Sequence, residues 1–198
     1  MAASTVCNAL TKSIATRKCL PSGGLKVKMW IFQVADMSGV ETKNDDGSLS
    51  SFGLNTGYQA ITCTGRPKKG KGDNKVTQAV DAALGVDQSL AIEVAYGSQD
   101  ELDAIMAFLR AEGKTAFVET NGGDIRQYFH EFGTDSLEGT DGSGALVTDA
   151  PNIVAATLKG SCTTLPRFFK AVITGQLSQL AASRAYLDGL VAAASSGS

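Results

Sequence analysis

Residues 89–132 constrain the fold more than any other stretch, because strand, helix, strand, turn and strand signals follow one another there with little slack. Leu90, Ile92, Val94 and Tyr96 alternate with Ala91, Glu93 and Ala95, the period of two that marks a half-buried strand. Ser98 and Glu101 have the S-x-x-E spacing of a capping box, so a helix starts at Ser98. Leu102, Ile105, Met106 and Leu109 form one apolar stripe. Asp100, Glu101 and Asp103 sit near the positive end of the helix dipole and Arg110 near the negative end. Gly113 suits the left-handed position that closes a helix. Residues 115–120 read as the next strand, Asn121-Gly122-Gly123-Asp124 as a turn, and 125–132 as the returning strand of a hairpin. This stretch predicts one helix laid on an antiparallel sheet.

The rest of the chain extends that plan. Residues 25–35 form the first strand, and Met29 to Phe32 is apolar on both faces, which predicts a strand covered on both sides. Residues 58–64, 153–159 and 167–173 read as further strands, and 174–194 as a terminal helix with a sparse stripe of Leu177, Leu180, Leu187 and Val191. That helix packs either on its own domain or on a partner. Residues 76–84 lean towards irregular or helical structure. Three segments read as loop insertions: 36–57, with the turn signal Asn44-Asp45-Asp46-Gly47, 65–75 and 133–148. The count is six or seven strands and two helices. The predicted fold class is α+β: an antiparallel β-sandwich or barrel-like core flanked by one helix, plus a C-terminal helix. The expected organisation is an arm over 1–24, a β-rich domain over 25–173, and a helix and tail over 174–198.

Of the 198 residues, 43% are hydrophobic and 19% charged, enough apolar material for a core and too little charge for global disorder. The net charge of −2 gives no bulk field towards nucleic acid or membrane. No apolar run approaches the roughly 20 residues of a membrane span, so no membrane partner is expected. Residues 1–35 contain no acidic residue and are rich in Ser, Thr and Ala, a composition shared with organelle transit peptides, but the apolar region of a secretory signal is missing. Cys7, Cys19, Cys63 and Cys162 form no C-x-x-C pair, and His130 is the single histidine, so no zinc-ligand spacing exists and the thiols read as reduced and mostly buried.

Each candidate for chemistry has a simpler alternative. Gly65-Arg66-Pro67-Lys68-Lys69-Gly70-Lys71 fits G-x-x-x-x-G-K, but a phosphate loop needs Ser or Thr next, and Gly72 stands there. The simplest reading is a solvated loop, and a middle one is a cationic loop whose Arg66, Lys68, Lys69, Lys71 and Lys75 meet an acidic surface, phosphates or DNA. His130 lies in Tyr128-Phe129-His130-Glu131-Phe132, with no G-x-S-x-G elbow anywhere and with Glu131 expected on the opposite face of a strand, so it reads as structural. Asp135, Glu138, Asp141 and Asp149 lack the spacing of a calcium loop. Tyr128, Phe129, Phe168 and Phe169 read as core and cross-strand aromatics. No catalytic residue, metal site or cofactor is assigned.

The order of features resembles structural proteins of tailed bacteriophages, most closely the tail-tube (major tail) proteins of phages of Bacteroidetes-type hosts. The resemblance is carried by Cys7-Asn8-Ala9-Leu10-Thr11-Lys12, Cys19, and Gly23-Gly24-Leu25 leading into a strand. It continues through the helix over 98–113, Ala116-Phe117-Val118-Glu119, a Gly/Ser/Thr loop, the turn at 149–152, and Leu158-Lys159-Gly160. It spans most of 7–173 as a series of short features, and departs at 65–75 and in the terminal helix. It implies a virion structural protein, assembled in the host cytoplasm, that forms homo-oligomeric, hexameric rings. Stacked rings would make a tube for DNA ejection, with other virion proteins and non-specifically passing DNA as partners and no catalytic residues. Head decoration or head–tail joining is the close rival. The two other readings are a binding module using the basic loop and an enzyme with a degenerate phosphate loop.

Overall fold

Met29, Trp30, Ile31 and Phe32 are each at most 3% exposed, and two different layers bury them. Their strand, β1 (Leu25–Gln33), lies inside a seven-stranded sheet. The pleat sends alternate side chains to opposite faces. Met29 and Ile31 enter a core shared with a second sheet, while Trp30 and Phe32 enter one covered by the C-terminal helix. The two-faced apolar run therefore means a central strand in a three-layer stack.

The computed structural model describes residues 25–65, 70–77, 85–142, 152–173, 175 and 178–196. After β1 come β2 (Met37–Lys43), β3 (Leu49–Leu54), β4 (Ala60–Thr64), β5 (Lys71–Thr77) and β6 (Gly85–Ala95). Helix α1 (Gln99–Arg110) precedes β7 (Lys114–Thr120), β8 (Ile125–Tyr128), β9 (Ser136–Gly142), β10 (Ile153–Cys162) and β11 (Arg167–Phe169), and α2 (Gln179–Ser196) follows. The large sheet has the order β2-β3-β11-β8-β7-β1-β4, and the small one β5-β6-β10-β9. Every pairing is antiparallel except β11 with β3. The α+β class is thus observed, with two sheets face to face over a common core. The barrel-like expectation is corrected: neither sheet closes on itself, and each ends in two edge strands.

The β6–β10 pair is the spine of the small sheet, in register from Ile153↔Ala95 to Cys162↔Val86. Leu90, Ile92, Val154, Ala156 and Leu158 point inward to meet Met29, Ile31, Ala116 and Val118 of the large sheet. Helix α1 starts as the sequence predicts, with Ser98 Oγ accepting from the Glu101 N–H at 3.2 Å. Glu101 reaches one residue further back than a capping box requires and accepts from the Gly97 N–H at 2.6 Å. Gly113 is left-handed, at φ 67°, but lies beyond the cap residue Ala111 and shapes the entry to β7 rather than closing the helix.

Helix α2 packs on its own domain, the first of its two expected placements. Leu187 is fully buried among Trp30, Phe32, Phe117 and Phe169. Arg184 grips Glu119 of β7 with two hydrogen bonds of 2.8 and 2.7 Å, and Lys26 pairs with the same carboxylate. Burial raises the Glu119 pKa, but the bonds from Arg184 and Lys26 outweigh it and hold the carboxyl below its usual range. Asp188 accepts from Lys28 Nζ at 2.5 Å and from Trp30 Nε1 at 2.6 Å.

The segments read as loops carry strands. Residues 36–57 hold the β2–β3 hairpin, whose turn is closed by Asn44, Asp46 and Ser48. The 65–75 segment ends in β5, and 133–148 holds β9. These strands lie at or beside sheet edges, and β2 is exposed along almost its whole length, so no apolar alternation betrays them. The tendency of 76–84 to helix is corrected at Val76 and Thr77, which end β5; 78–84 lie outside the described residues. The strand expected over 125–132 stops at Tyr128, because Phe129 adopts φ 57° and turns the chain towards the small sheet.

Candidate functional site

Of the five cations proposed to face an anion, Arg66, Lys68 and Lys69 lie outside the described residues. Lys71 and Lys75 are exposed on β5, so they belong to a strand rather than a loop. Lys71 opens that strand opposite Ala91 and pairs with Asp73 at 2.6 Å. A phosphate-binding loop needs a helix N-terminus after the lysine. Here a strand follows, and Gly72 has its own structural reason. A Cβ at that position would lie 2.4 Å from the Tyr128 hydroxyl, which lodges under β5 and bonds to Asn74. Lys75 lines a polar hollow together with Asp73, Asp87, Asp135 and Lys159, in which carboxylates outnumber cations.

His130 is the hub of a polar cluster at the two crossings between the sheets. Residues 129–135 carry the chain from β8 to β9, and 163–166 from β10 to β11. The ring is covered, its side chain 4% exposed, and its Nε2 lies 3.0 Å from Thr164 Oγ1 and 3.4 Å from Glu131 Oε1. The expectation that Glu131 faces away from His130 is therefore corrected: the strand has already ended, and strand alternation no longer applies. Glu131 also accepts from the Thr163 N–H at 2.6 Å and from its hydroxyl at 2.7 Å. Arg167 makes a bidentate pair with Glu41 and a further bond to Gln127. Burial, then the charge of Arg167, bring the His130 pKa down to about 4, against a smaller opposing effect from Glu131. The imidazole is neutral at pH 7 and fixes one crossing to the other. Cys162 is buried and Cys63 half-buried, and both are free thiols. Burial pushes the Cys63 thiol up to about 11, which leaves it unreactive as a nucleophile.

The expected cross-strand role of the aromatics needs one amendment. Phe169 is buried, but Phe168 is 39% exposed, and the Arg126 guanidinium stacks 4.6 Å from its ring centroid. Among the described residues, no group of three His, Cys, Asp or Glu stands close enough to hold a metal ion, and no described helix is long and apolar enough to cross a membrane. Asp135 is used internally, accepting from the Ser161 N–H at 3.1 Å; Asp149 lies outside the described residues.

Sequence reasoning did not show which strands form the sheet edges. Among the described residues, each sheet ends in strands paired on one side only, and such an edge templates association unless it is blunted. The β2 edge is interrupted by a register shift and carries Glu41 and Lys43. The β5 edge carries Lys71, Asp73 and Lys75. The β4 edge has neither device. Its sequence, Ala-Ile-Thr-Cys-Thr, holds no charge and no proline, and its five residues pair with β1 without a shift. Ile61 is 44% exposed there. The absence of any charge in a short β-branched strand is the sequence signal that would have found it. Comparison with protein-family models, with curated proteins and with solved structures finds no match for this chain.

Proposed function

We propose that this chain is a virion structural subunit that works by self-association, in the manner of the phage tail-tube proteins that its sequence resembles. The observation that carries the reading is the β4 edge: unbroken in register, uncharged, rich in β-branched residues and bearing an exposed isoleucine. A strand of a second copy laid against it satisfies its outer backbone groups, and a ring of such contacts leaves no open edge of this kind. Rings stacked end to end would enclose a conduit for DNA, with other virion proteins at its ends. The same edge serves a head decoration or head–tail joining protein, which uses it on a preformed shell. The binding-module reading draws less support, because Lys71 is paired with Asp73 and Lys75 stands among carboxylates.

The test is negative-stain electron microscopy with light scattering over a range of protein concentrations. The wild-type chain is expected to give rings or tubes. Ile61→Lys places a charge on the open edge and is expected to give monomers whose thermal midpoint is unchanged, since surface substitutions typically cost less than about 0.5 kcal/mol. Monomers of the wild type at every concentration would remove the tube reading in favour of a protein that binds an existing shell.

A further inference from the structure

Helix α1 lies beside the open flank of the sandwich, and an apolar groove runs between it and β4. Two hollows, of about 210 and 300 Å³, adjoin each other, with Ile61, Ala104 and Phe108 lining both. The walls come from Ile61 and Cys63 of β4, Ile92 and Val94 of β6, and Ile105 and Phe108 of α1. Among the described residues that line either hollow, Lys114 alone carries a charge.

The surroundings of Lys114 are unusual for a lysine. It is 3% exposed at the start of β7. Its ammonium donates to the Phe108 carbonyl at 2.8 Å and sits 5.0 Å from the centroid of the Phe108 ring. An ammonium has three protons to donate, and the bond to Phe108 uses one of them. Burial lowers its pKa to about 8, against a smaller opposing effect from Glu112, so the cationic form still predominates at neutral pH.

We propose that this groove binds a single-chain amphiphile with an anionic head, a fatty carboxylate being the simplest case. The aliphatic chain lies against Ile61, Cys63, Ile105 and Phe108, and the head group meets Lys114. Charge complementarity selects this occupant. A purely apolar ligand gains nothing from the ammonium, and a cationic amphiphile places two like charges together in a weakly screened site. A polypeptide strand fits less well, because it brings backbone donors and acceptors against aliphatic walls that offer them no partners. Occupation leaves self-association possible. The β4 backbone pairs in the plane of its sheet, whereas Ile61 and Cys63 project from that plane towards the side of Ile31 and Met29. The amphiphile and a paired strand thus meet β4 on different sides and share the Ile61 side chain.

The experiment is isothermal titration calorimetry of the full chain with dodecanoate, and with dodecyltrimethylammonium as a probe of equal chain length and opposite charge. Dodecanoate is expected to bind one molecule per chain, and the cationic probe to give no heat. Lys114→Met keeps the aliphatic stem and removes the charge, and is expected to weaken dodecanoate binding about tenfold or more. Raising the pH from about 7 to about 9.5 is expected to weaken it in the wild type as the amine deprotonates. Ala104 is exposed and lines both hollows, so Ala104→Phe fills the groove without touching the core and is expected to abolish binding. Lys114 also braces the end of α1, so if Lys114→Met fails to fold, Ala104→Phe and the pH series decide. The proposal is overturned by equal binding of both probes, by dodecanoate affinity that is unchanged in Ala104→Phe or across the pH series, or by no binding at all. Loss of oligomers in Ala104→Phe, with no dodecanoate binding to the wild type, would instead make the groove an interface between copies.

Discussion

His130 links the chemistry of one side chain to the stability of the whole chain. Its folded pKa of about 4 lies below the ordinary value near 6.5. Between those two values the unfolded chain binds a proton that the folded chain does not, so stability rises with pH across this window and levels off above it. The full effect is up to about 3 kcal/mol, from roughly 1.4 kcal/mol for each tenfold change in proton affinity. Glu131 and Glu41, which face the cluster, are held below the usual carboxylate range and stay ionised through most of the window. As the chain has one histidine, the slope above about pH 5 belongs to His130. Denaturant unfolding at a series of pH values should therefore show stability falling from about pH 6.5 towards about 5, and His130→Gln should flatten that slope. Gly72 gives a second expectation. An added methyl meets the Tyr128 hydroxyl at 2.4 Å and its Cζ at 2.9 Å. Gly72→Ala should cost about 1–3 kcal/mol in chemical denaturation, and Tyr128→Phe in the same chain should restore part of it by removing the clashing oxygen.

Helix α2 shows how an element with a weak sequence signature acquires a firm place. Its apolar stripe is sparse, and Gly189 interrupts it with no neighbour to justify a glycine there. The docking is instead directed by polar groups. Glu119 and Arg184 fix its near end, Asp188 caps the fully buried Trp30 through its indole N–H, and the Tyr58 hydroxyl donates to the Leu190 carbonyl at 2.7 Å. Removing the Asp188 carboxylate leaves a buried N–H without an acceptor, a loss of about 1–3 kcal/mol. Asp188→Ala should lower the thermal midpoint accordingly, and Asp188→Asn, which keeps a carbonyl oxygen for the indole, should lower it less. The helix also shields the aromatic cluster of Phe32, Phe52, Phe117, Phe169 and Tyr186, whose ring centroids lie 5.1 to 6.1 Å apart. Its loss would uncover this face of the sheet to aggregation.

The three layers place an open flank at β4, and both the proposed assembly edge and the amphiphile groove follow from that placement. The parts of this plan legible in the sequence are those with a local physical cause. Capping at Ser98 is a contact between near neighbours, so α1 could be read to within a residue of its start. The 121–124 turn and the strands on either side of it form one hairpin, paired as Glu119↔Ile125 and Ala116↔Tyr128. The double-sided apolar run of Met29 to Phe32 announced a strand buried on both faces, because only the middle layer of a stack requires that pattern. Composition and patterning alone thus led to an α+β chain with a sheet covered on both sides.

Tertiary structure decided everything that depends on distant partners. Edge strands β2, β5 and β9 pair on one side only and carry little or no apolar rhythm, so their pairing partners, not their own residues, make them strands. His130 and Glu131 meet because Phe129 turns the backbone one residue after Tyr128, an event no spacing rule contains. Lys114 looks like any strand lysine in sequence, and comes to line an apolar hollow only when α1 folds over it. The physical reason is the range of the forces: capping, pleat and turn chemistry act over a few residues, whereas burial and desolvation are set by whatever the fold brings alongside.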